Sequence, residues 1–271
     1  MRTTKRVGYF QFRPIFGNLA ANRQAITEAL KGARADLIVL PELAFTGYAM
    51  VDRKTLATLA EYPSDSPSID VLKELCISGN YHIVAGFAER AGSRLYNAAL
   101  LVGPDGLVAI YRKIHLFGFE SELFDPGPDE PEVYDIGGLK VGMMVCFDWI
   151  FPETARLLAL AGADLIAHPS NLVLDWCQKS MVIRCLENNL FAVTANRWGS
   201  EERAGKSLIF TGGSQITAPR GVILSSAATE GDDLRIVDID IRTARNKYIT
   251  AENHLLNDRR PALYENLIRV K

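Results

Sequence analysis

Cysteine is scarce in this chain: 4 residues in 271, with no CxxC pair among them. That count excludes a dense disulfide framework and predicts free thiols in a reducing, cytoplasmic setting. Charge of either sign is not in excess. Thirty Lys and Arg are mixed with 32 Asp and Glu, a net charge of −2, and no basic tract stands out. Nothing in that balance suits a nucleic acid or an anionic membrane. Long hydrophobic runs are missing as well: no stretch approaches the ~18 apolar residues that span a bilayer. The basic opening MRTTKRVGYFQFRP is interrupted by Gln11 and Arg13, so it does not read as a secretory signal. No Ser-, Pro- or Gly-rich linker divides the sequence, and a single domain over residues 1–271 is expected.

What is present is a globular composition, 48% hydrophobic and 23% charged, with enough length for a large core. Strand-like and helix-like segments alternate. RVGYFQF reads as a strand, and NLAANRQAITEALKGARA carries apolar residues at helical spacing. DLIVLPEL reads as a buried strand ending at Pro41. SIDVLKELCISGN reads as a helix with Ser68 as its N-cap and Gly79 near its end. YHIVAGFAER, RLYNAALLVGPDG and LVAIYRKIHL read as three strands, the last two joined at a Pro104-Asp105-Gly106 turn. LKVGMMVC (strand), PETARLLALAG (helix), ADLIAHPSN (strand), WCQKSMVIRCLENN (helix) and LFAVTANRWG (strand) follow. KSLIFTGGSQITAPRG and LRIVDIDI are later strands. The alternation predicts an α/β layered fold, and the adjacent strands around Pro104 exclude a purely parallel sheet. ARADLIVLPEL and AGADLIAHPSN echo one another, which suggests two similar halves with Glu42 where the second copy has Ser170. Ligands of open α/β sheets gather at the carboxyl ends of strands, where Glu42, Cys146 and Ser170 would all lie.

The segment VGMMVCFDWIFPE carries the chemistry. Cys146 stands where a strand stops and a helix, opened by Pro152, is about to start. A thiol on such a turn points into a crevice, and nearby backbone N–H groups can stabilise a thiolate or an adjacent oxyanion. The plain alternative is a buried packing cysteine. A nucleophilic thiol needs a proton acceptor. None of the four histidines is compelling: His82 lies within a strand, His254 falls in a polar C-terminal region, and His115 and His168 are candidates for supporting groups near strand ends. Glu42 ends an apolar strand, where burial would raise its pKa towards a useful base; otherwise it is a cap for the next segment. Lys113 closes LVAIYRK and is either a charge-stabilising group or a solvated strand-end lysine. Bulky Phe45, Tyr48, Phe117, Phe119, Trp149 and Trp176 would make the pocket small or would serve as core. Asn171 would contact substrate or cap its loop. Cys177 and Cys185 share a helix at a spacing that fits neither a metal site nor a disulfide.

Taken together, LPELAFTGY, YRKIHLFGFESELFDPG and VGMMVCFDWIFPETARLLALAGADLIAHPSN resemble the three signature segments of the nitrilase superfamily of carbon–nitrogen hydrolases. The resemblance extends to RCLENN and NDRRPALY, so it covers nearly the whole chain. It implies an α-β-β-α four-layer sandwich that pairs into an eight-layer homodimer. The helices after Phe151 and around Arg184 to Asn188 would form the contact, and the tail at about 247–271 would cross it. It implies a Glu42–Lys113–Cys146 triad: base, charge stabiliser and nucleophile. The backbone N–H of Phe147 would help the lysine. Glu120 would be the second glutamate, with Glu122 as the fallback. The implied reaction passes through a thioester and requires no metal or cofactor. Nitrile-hydrolysing branches of this superfamily typically read Cys-Trp-Glu at the nucleophile, whereas this chain reads Cys-Phe-Asp, and Trp149, Ile150 and Phe151 stand where carbamoylase branches carry basic residues. The expectation is an amidase for small aliphatic amides, with nitrilase as runner-up and Tyr48, Phe117, Phe147, Trp149, Ser170 and Asn171 contacting the substrate. Two other classes remain: a catalytically silent scaffold relative, which would have no need to retain the triad, and a thiol redox protein, disfavoured because no resolving cysteine stands near Cys146 in the sequence.

Overall fold

The structure, a computed structural model, describes residues 3–269. Met1 and Arg2 of the basic opening, and Val270 and Lys271 of the expected crossing tail, lie outside the described residues. The first half runs β1 (Thr4–Gln11), α1 (Leu19–Leu30), β2 (Leu37–Val39), α2 (Arg53–Leu59) and α3 (Pro67–Gly79). It continues through β3 (His82–Ala91), β4 (Arg94–Gly103), β5 (Gly106–Arg112) and a single turn, α4 (Glu120–Leu123). The second half runs β6 (Val133–Ile136), β7 (Leu139–Met143), a 3-10 turn (Cys146–Ile150), α5 (Pro152–Leu160), β8 (Leu165–Ser170) and α6 (Cys177–Asn188). Then come β9 (Phe191–Asn196), β10 (Trp198–Arg203), β11 (Lys206–Thr211), β12 (Gln215–Thr217), β13 (Ile223–Ser226), β14 (Asp233–Asp240) and α7 (Ile241–Arg245).

Two six-stranded sheets form, in the orders β14-β1-β2-β3-β4-β5 and β13-β12-β9-β8-β7-β6. Each has a parallel triplet, β1-β2-β3 or β7-β8-β9, flanked by antiparallel neighbours. The echo in the sequence is thus a structural one: β2 and β8 are the central strands of matching halves. Strand alternation builds the layers. Leu37 and Val39 of β2, with Val7 and Tyr9 of β1, enter the cluster that also holds Val141, Met143 and Leu165 of the other sheet. Ile38 and Leu40 point the opposite way, with Ile26 and Leu30 of α1 and Leu72 and Leu75 of α3. On the far side Ala155 and Leu158 of α5 and Met181 and Cys185 of α6 cover the second sheet. The result is the α-β-β-α sandwich.

Several details differ from the expectation. The helix before β3 is capped by Ser66, which accepts from the Ile69 N–H at 3.1 Å, not by Ser68, whose hydroxyl is turned to Glu61. LFAVTANRWG and KSLIFTGGSQITAPRG each read as one strand but form two. The breaks fall at Arg197 and at Gly212–Ser214, and β10 and β11 leave the sheet as a separate two-stranded ribbon. The short α2, β6 and β13 carry too few residues for a periodic signal to emerge.

Candidate active site

Five chain segments deliver polar groups to one end of the sandwich. The parallel strands β2, β7 and β8 end there, followed by Glu42, Cys146 and Asn171. Lys113 follows β5. Because β4 runs antiparallel to β3, its beginning, with Asn97, lies at the same end. The Lys113 N–H donates to the Asn97 carbonyl at 2.8 Å.

Cys146 opens the 3-10 turn with φ of 42°, a left-handed conformation rare for a side chain with a Cβ. Two buried residues hold it there. Asp148 accepts from the N–H of Val145 at 2.9 Å and of His115 at 3.1 Å. Its carboxylate also meets the His115 ring and the Tyr111 hydroxyl, both at 2.8 Å, tying the turn to the end of β5. His168 donates from Nε2 to the Cys146 carbonyl at 2.9 Å, which leaves Nδ1 to accept from Thr194 at 3.1 Å. Burial holds the His168 pKa down to about 4, so the ring is neutral near pH 7. The two histidines therefore support the turn.

Glu42, Lys113 and Glu120 have no solvent exposure. The Lys113 ammonium donates to Glu42 at 2.7 Å and to Glu120 at 2.8–2.9 Å. Asn97 also donates to Glu42 Oε1, at 2.7 Å, while Glu42 Oε2 has no hydrogen-bond partner among the described residues. Burial raises the Glu42 pKa, opposed by the Lys113 charge. Burial alone would lower the Lys113 pKa, but the carboxylates of Glu120 and Glu42 more than offset it and keep the amine charged. Glu120 is fixed by the Tyr48 hydroxyl at 2.7 Å and the Phe117 N–H at 3.0 Å. Burial, then the charge of Glu42, push the Cys146 thiol well above its usual range; Lys113 and the Asn171 backbone N–H act the other way. Asn171 bridges the set, since its side-chain amide donates to the Glu42 carbonyl at 2.9 Å. Such an arrangement can keep a neutral thiol at rest, take its proton onto a carboxylate, and stabilise negative charge with an ammonium.

Beside Cys146 lies a narrow cleft of about 10 Å³, lined by Asn171, Phe117, Phe147, Trp149 and the run Leu172 to Leu174. Of the expected substrate contacts, Phe117, Phe147, Trp149 and Asn171 line it. Ser170 does not: its hydroxyl is buried against the His168 ring at 3.2–3.4 Å. Tyr48 does not either, because its hydroxyl is committed to Glu120. Glu122 is exposed and pairs with Arg203 at 3.6 Å, so Glu120 is the glutamate that joins the cluster. Phe45 packs on Phe87, Phe119 on Tyr48, and Trp176 is exposed. Cys177 and Cys185 are buried, with burial raising both thiols. Sequence reasoning overlooked Asn97, Tyr111 and the structural part of Asp148. The available signal was a polar residue inside an apolar strand, as in RLYNAALLVG, which flags burial but names no partner.

Residues 6–247 match the family model described as carbon-nitrogen hydrolase. A protein from Pyrococcus abyssi named nitrilase is 41% identical, the match covering 96% of this chain and 98% of that one. An (R)-stereoselective amidase from a Pseudomonas species is 33% identical over 85% of this chain and 83% of its own length. Among solved structures, a mutant of the amidase from Nesterenkonia sp. AN1 superposes with a TM-score of 0.79 at 26% identity, covering 98% of each chain. In that protein the acetamide moiety of fluoroacetamide is covalently added at the active-site cysteine. With its two-sheet sandwich and its match over most of its length, this chain belongs to the carbon–nitrogen hydrolases of the nitrilase superfamily.

Proposed function

We propose that the protein is an amidase that converts small, uncharged amides to carboxylic acid and ammonia. The observation that carries this reading is the buried Glu42–Lys113–Glu120 cluster beside the strained Cys146 turn, with one Glu42 oxygen unpartnered among the described residues. Glu42 takes the thiol proton as Cys146 sulfur bonds to the amide carbon. Lys113 and the Phe147 N–H stabilise the oxyanion, and Glu120 positions the ammonium. The intermediate collapses with cleavage of the C–N bond, and the proton on Glu42 passes to the leaving nitrogen. Water, deprotonated by Glu42, then attacks the thioester, the C–S bond breaks, and the thiol regains its proton. The sum is amide plus water to acid plus ammonia. The apolar lining supports an uncharged acyl group, since a charge desolvated among Phe117, Phe147, Trp149 and Leu172 would cost several kcal/mol.

A nitrilase is the second reading, favoured by the name of the 41% identical relative. An ammonia-release screen over matched small amides and nitriles separates the two: turnover of nitriles without amides overturns the amidase. Loss of turnover in Cys146→Ala, with the fold retained, is expected; unchanged turnover would sink the assigned nucleophile and favour a silent relative. We read the chain as one domain in a reducing compartment. A second copy would pack on the face where Leu157 and Leu160 of α5 and Ile183 and Leu186 of α6 are exposed, beside Leu263, Tyr264 and Leu267 of the tail. Sedimentation as a monomer at micromolar concentration would count against that pairing.

A further inference from the structure

The ribbon of β10 and β11 stands apart from both sheets, yet a buried carboxylate on it reaches the backbone of the loop that carries Tyr48. Glu201, in mid-β10, is 9% exposed. Its Oε2 accepts from the backbone N–H of Tyr48 at 2.9 Å and of Ala49 at 2.7 Å. Its Oε1 pairs with Arg197, a fully buried guanidinium lying 4.1 Å over the Phe210 ring. The fit is close: a Cβ on Gly47 would stand 2.9 Å from Glu201 Oε1 and 2.9 Å from the backbone of Phe16. The same ribbon grips the loop again, since Arg203 donates to the Met50 carbonyl at 2.8 Å and lies 3.7 Å over the Phe119 ring. Phe119 and Phe210 both meet the Tyr48 ring edge-on. What this holding accomplishes is at the far end of Tyr48, whose hydroxyl donates to Glu120.

We propose that Glu201, braced by Arg197, is a positioning residue: it fixes the Tyr48 backbone so that the phenol holds Glu120 against Lys113. The proposal rests on the hydrolase reading. Charge-assisted bonds from one carboxylate to two backbone N–H groups are worth more than neutral ones, so the brace is stiff. A group that acts through Tyr48 has nothing left to act on once the phenol oxygen is removed, which makes the kinetic cycle the test.

The experiment compares wild type, E201Q, Y48F and the E201Q/Y48F double variant on the best amide from the ammonia-release screen, with thermal midpoints recorded in parallel. E201Q is expected to lower kcat on the order of tenfold or more while KM changes less than about threefold. In the Y48F background the same change is expected to lower kcat less than about threefold. An equal kcat loss in both backgrounds, or a wild-type kcat for E201Q, overturns the positioning role. A lowered thermal midpoint with unchanged kcat assigns Glu201 to stability alone and also overturns it. If the wild type releases ammonia from no amide or nitrile, the hydrolase reading fails and the positioning role with it. That outcome is distinct from a wild-type-like E201Q in an active background.

Discussion

Replacing Lys113 with Met keeps the side-chain stem and deletes the charge, and the consequence can be worked out from the contacts. One ammonium serves two fully buried carboxylates, 2.7 Å from Glu42 and 2.8 Å from Glu120. Without it, two like charges remain desolvated side by side. Removing one partner of a buried pair costs about 3–5 kcal/mol, a large share of a typical stability of about 5–15 kcal/mol. The deficit must also depend on pH. The Lys113 charge is the main influence keeping the Glu42 pKa down against burial, so in the variant that pKa rises further. Unfolded glutamate ionises near pH 4.3; above it the unfolded chain has released a proton that the folded variant retains. Stability then falls as pH rises through that window. Urea denaturation followed by tryptophan fluorescence should therefore show K113M well below wild type at about pH 8 and closer to it at about pH 5. The variant should also lose about 10²–10³ in kcat if the ammonium meets the oxyanion. A deficit constant with pH, or a wild-type midpoint at both values, would refute the shared-ammonium argument.

Glu42→Gln can still accept from Lys113 and Asn97 but not take a proton, so kcat should fall about 10²–10⁴-fold with little change in thermal midpoint; activity near wild type would remove Glu42 as the base. Because burial raises the Glu42 pKa from 4.5, kcat/KM of the wild type should rise with pH through a midpoint above that value; a midpoint at or below it contradicts an ionised, buried base. His168, neutral in the fold down to about pH 4, ionises from about 6.5 in the unfolded chain. The unfolded state thus gains protons first, and stability is lost as pH falls across that interval, by about 3 kcal/mol. H168Q should show a shallower slope of midpoint against pH, and an identical slope would falsify the assignment. Gly86→Ala places a Cβ 2.3 Å from the Glu42 Cα and 2.5 Å from the Leu43 nitrogen, backbone that cannot rotate away. A loss of about 1–3 kcal/mol or more, with a reduced kcat, is expected, and a wild-type midpoint and rate would mean that the strand and the Glu42 turn can separate freely.

How far the sequence alone reaches can be seen residue by residue. Alternating strand and helix patterns and the Ala-Asp-Leu-Ile echo determined the layered α/β class and the matching halves, and polar residues at the ends of apolar segments marked Glu42, Lys113 and Cys146 as the residues to examine, whereas Glu120 followed only from the resemblance to the nitrilase superfamily. Each of those signals is local, because hydrophobic period and turn chemistry are written within a dozen residues. Only the tertiary structure decided that Asn97 shares Glu42 with Lys113 and that Tyr48 serves Glu120 rather than the cleft. It alone placed Ser170 against the His168 ring and drew Glu201 across 153 positions of sequence to the Tyr48 backbone. A buried polar residue announces that it needs a partner, but which partner it meets depends on how strands distant in the chain come to lie side by side.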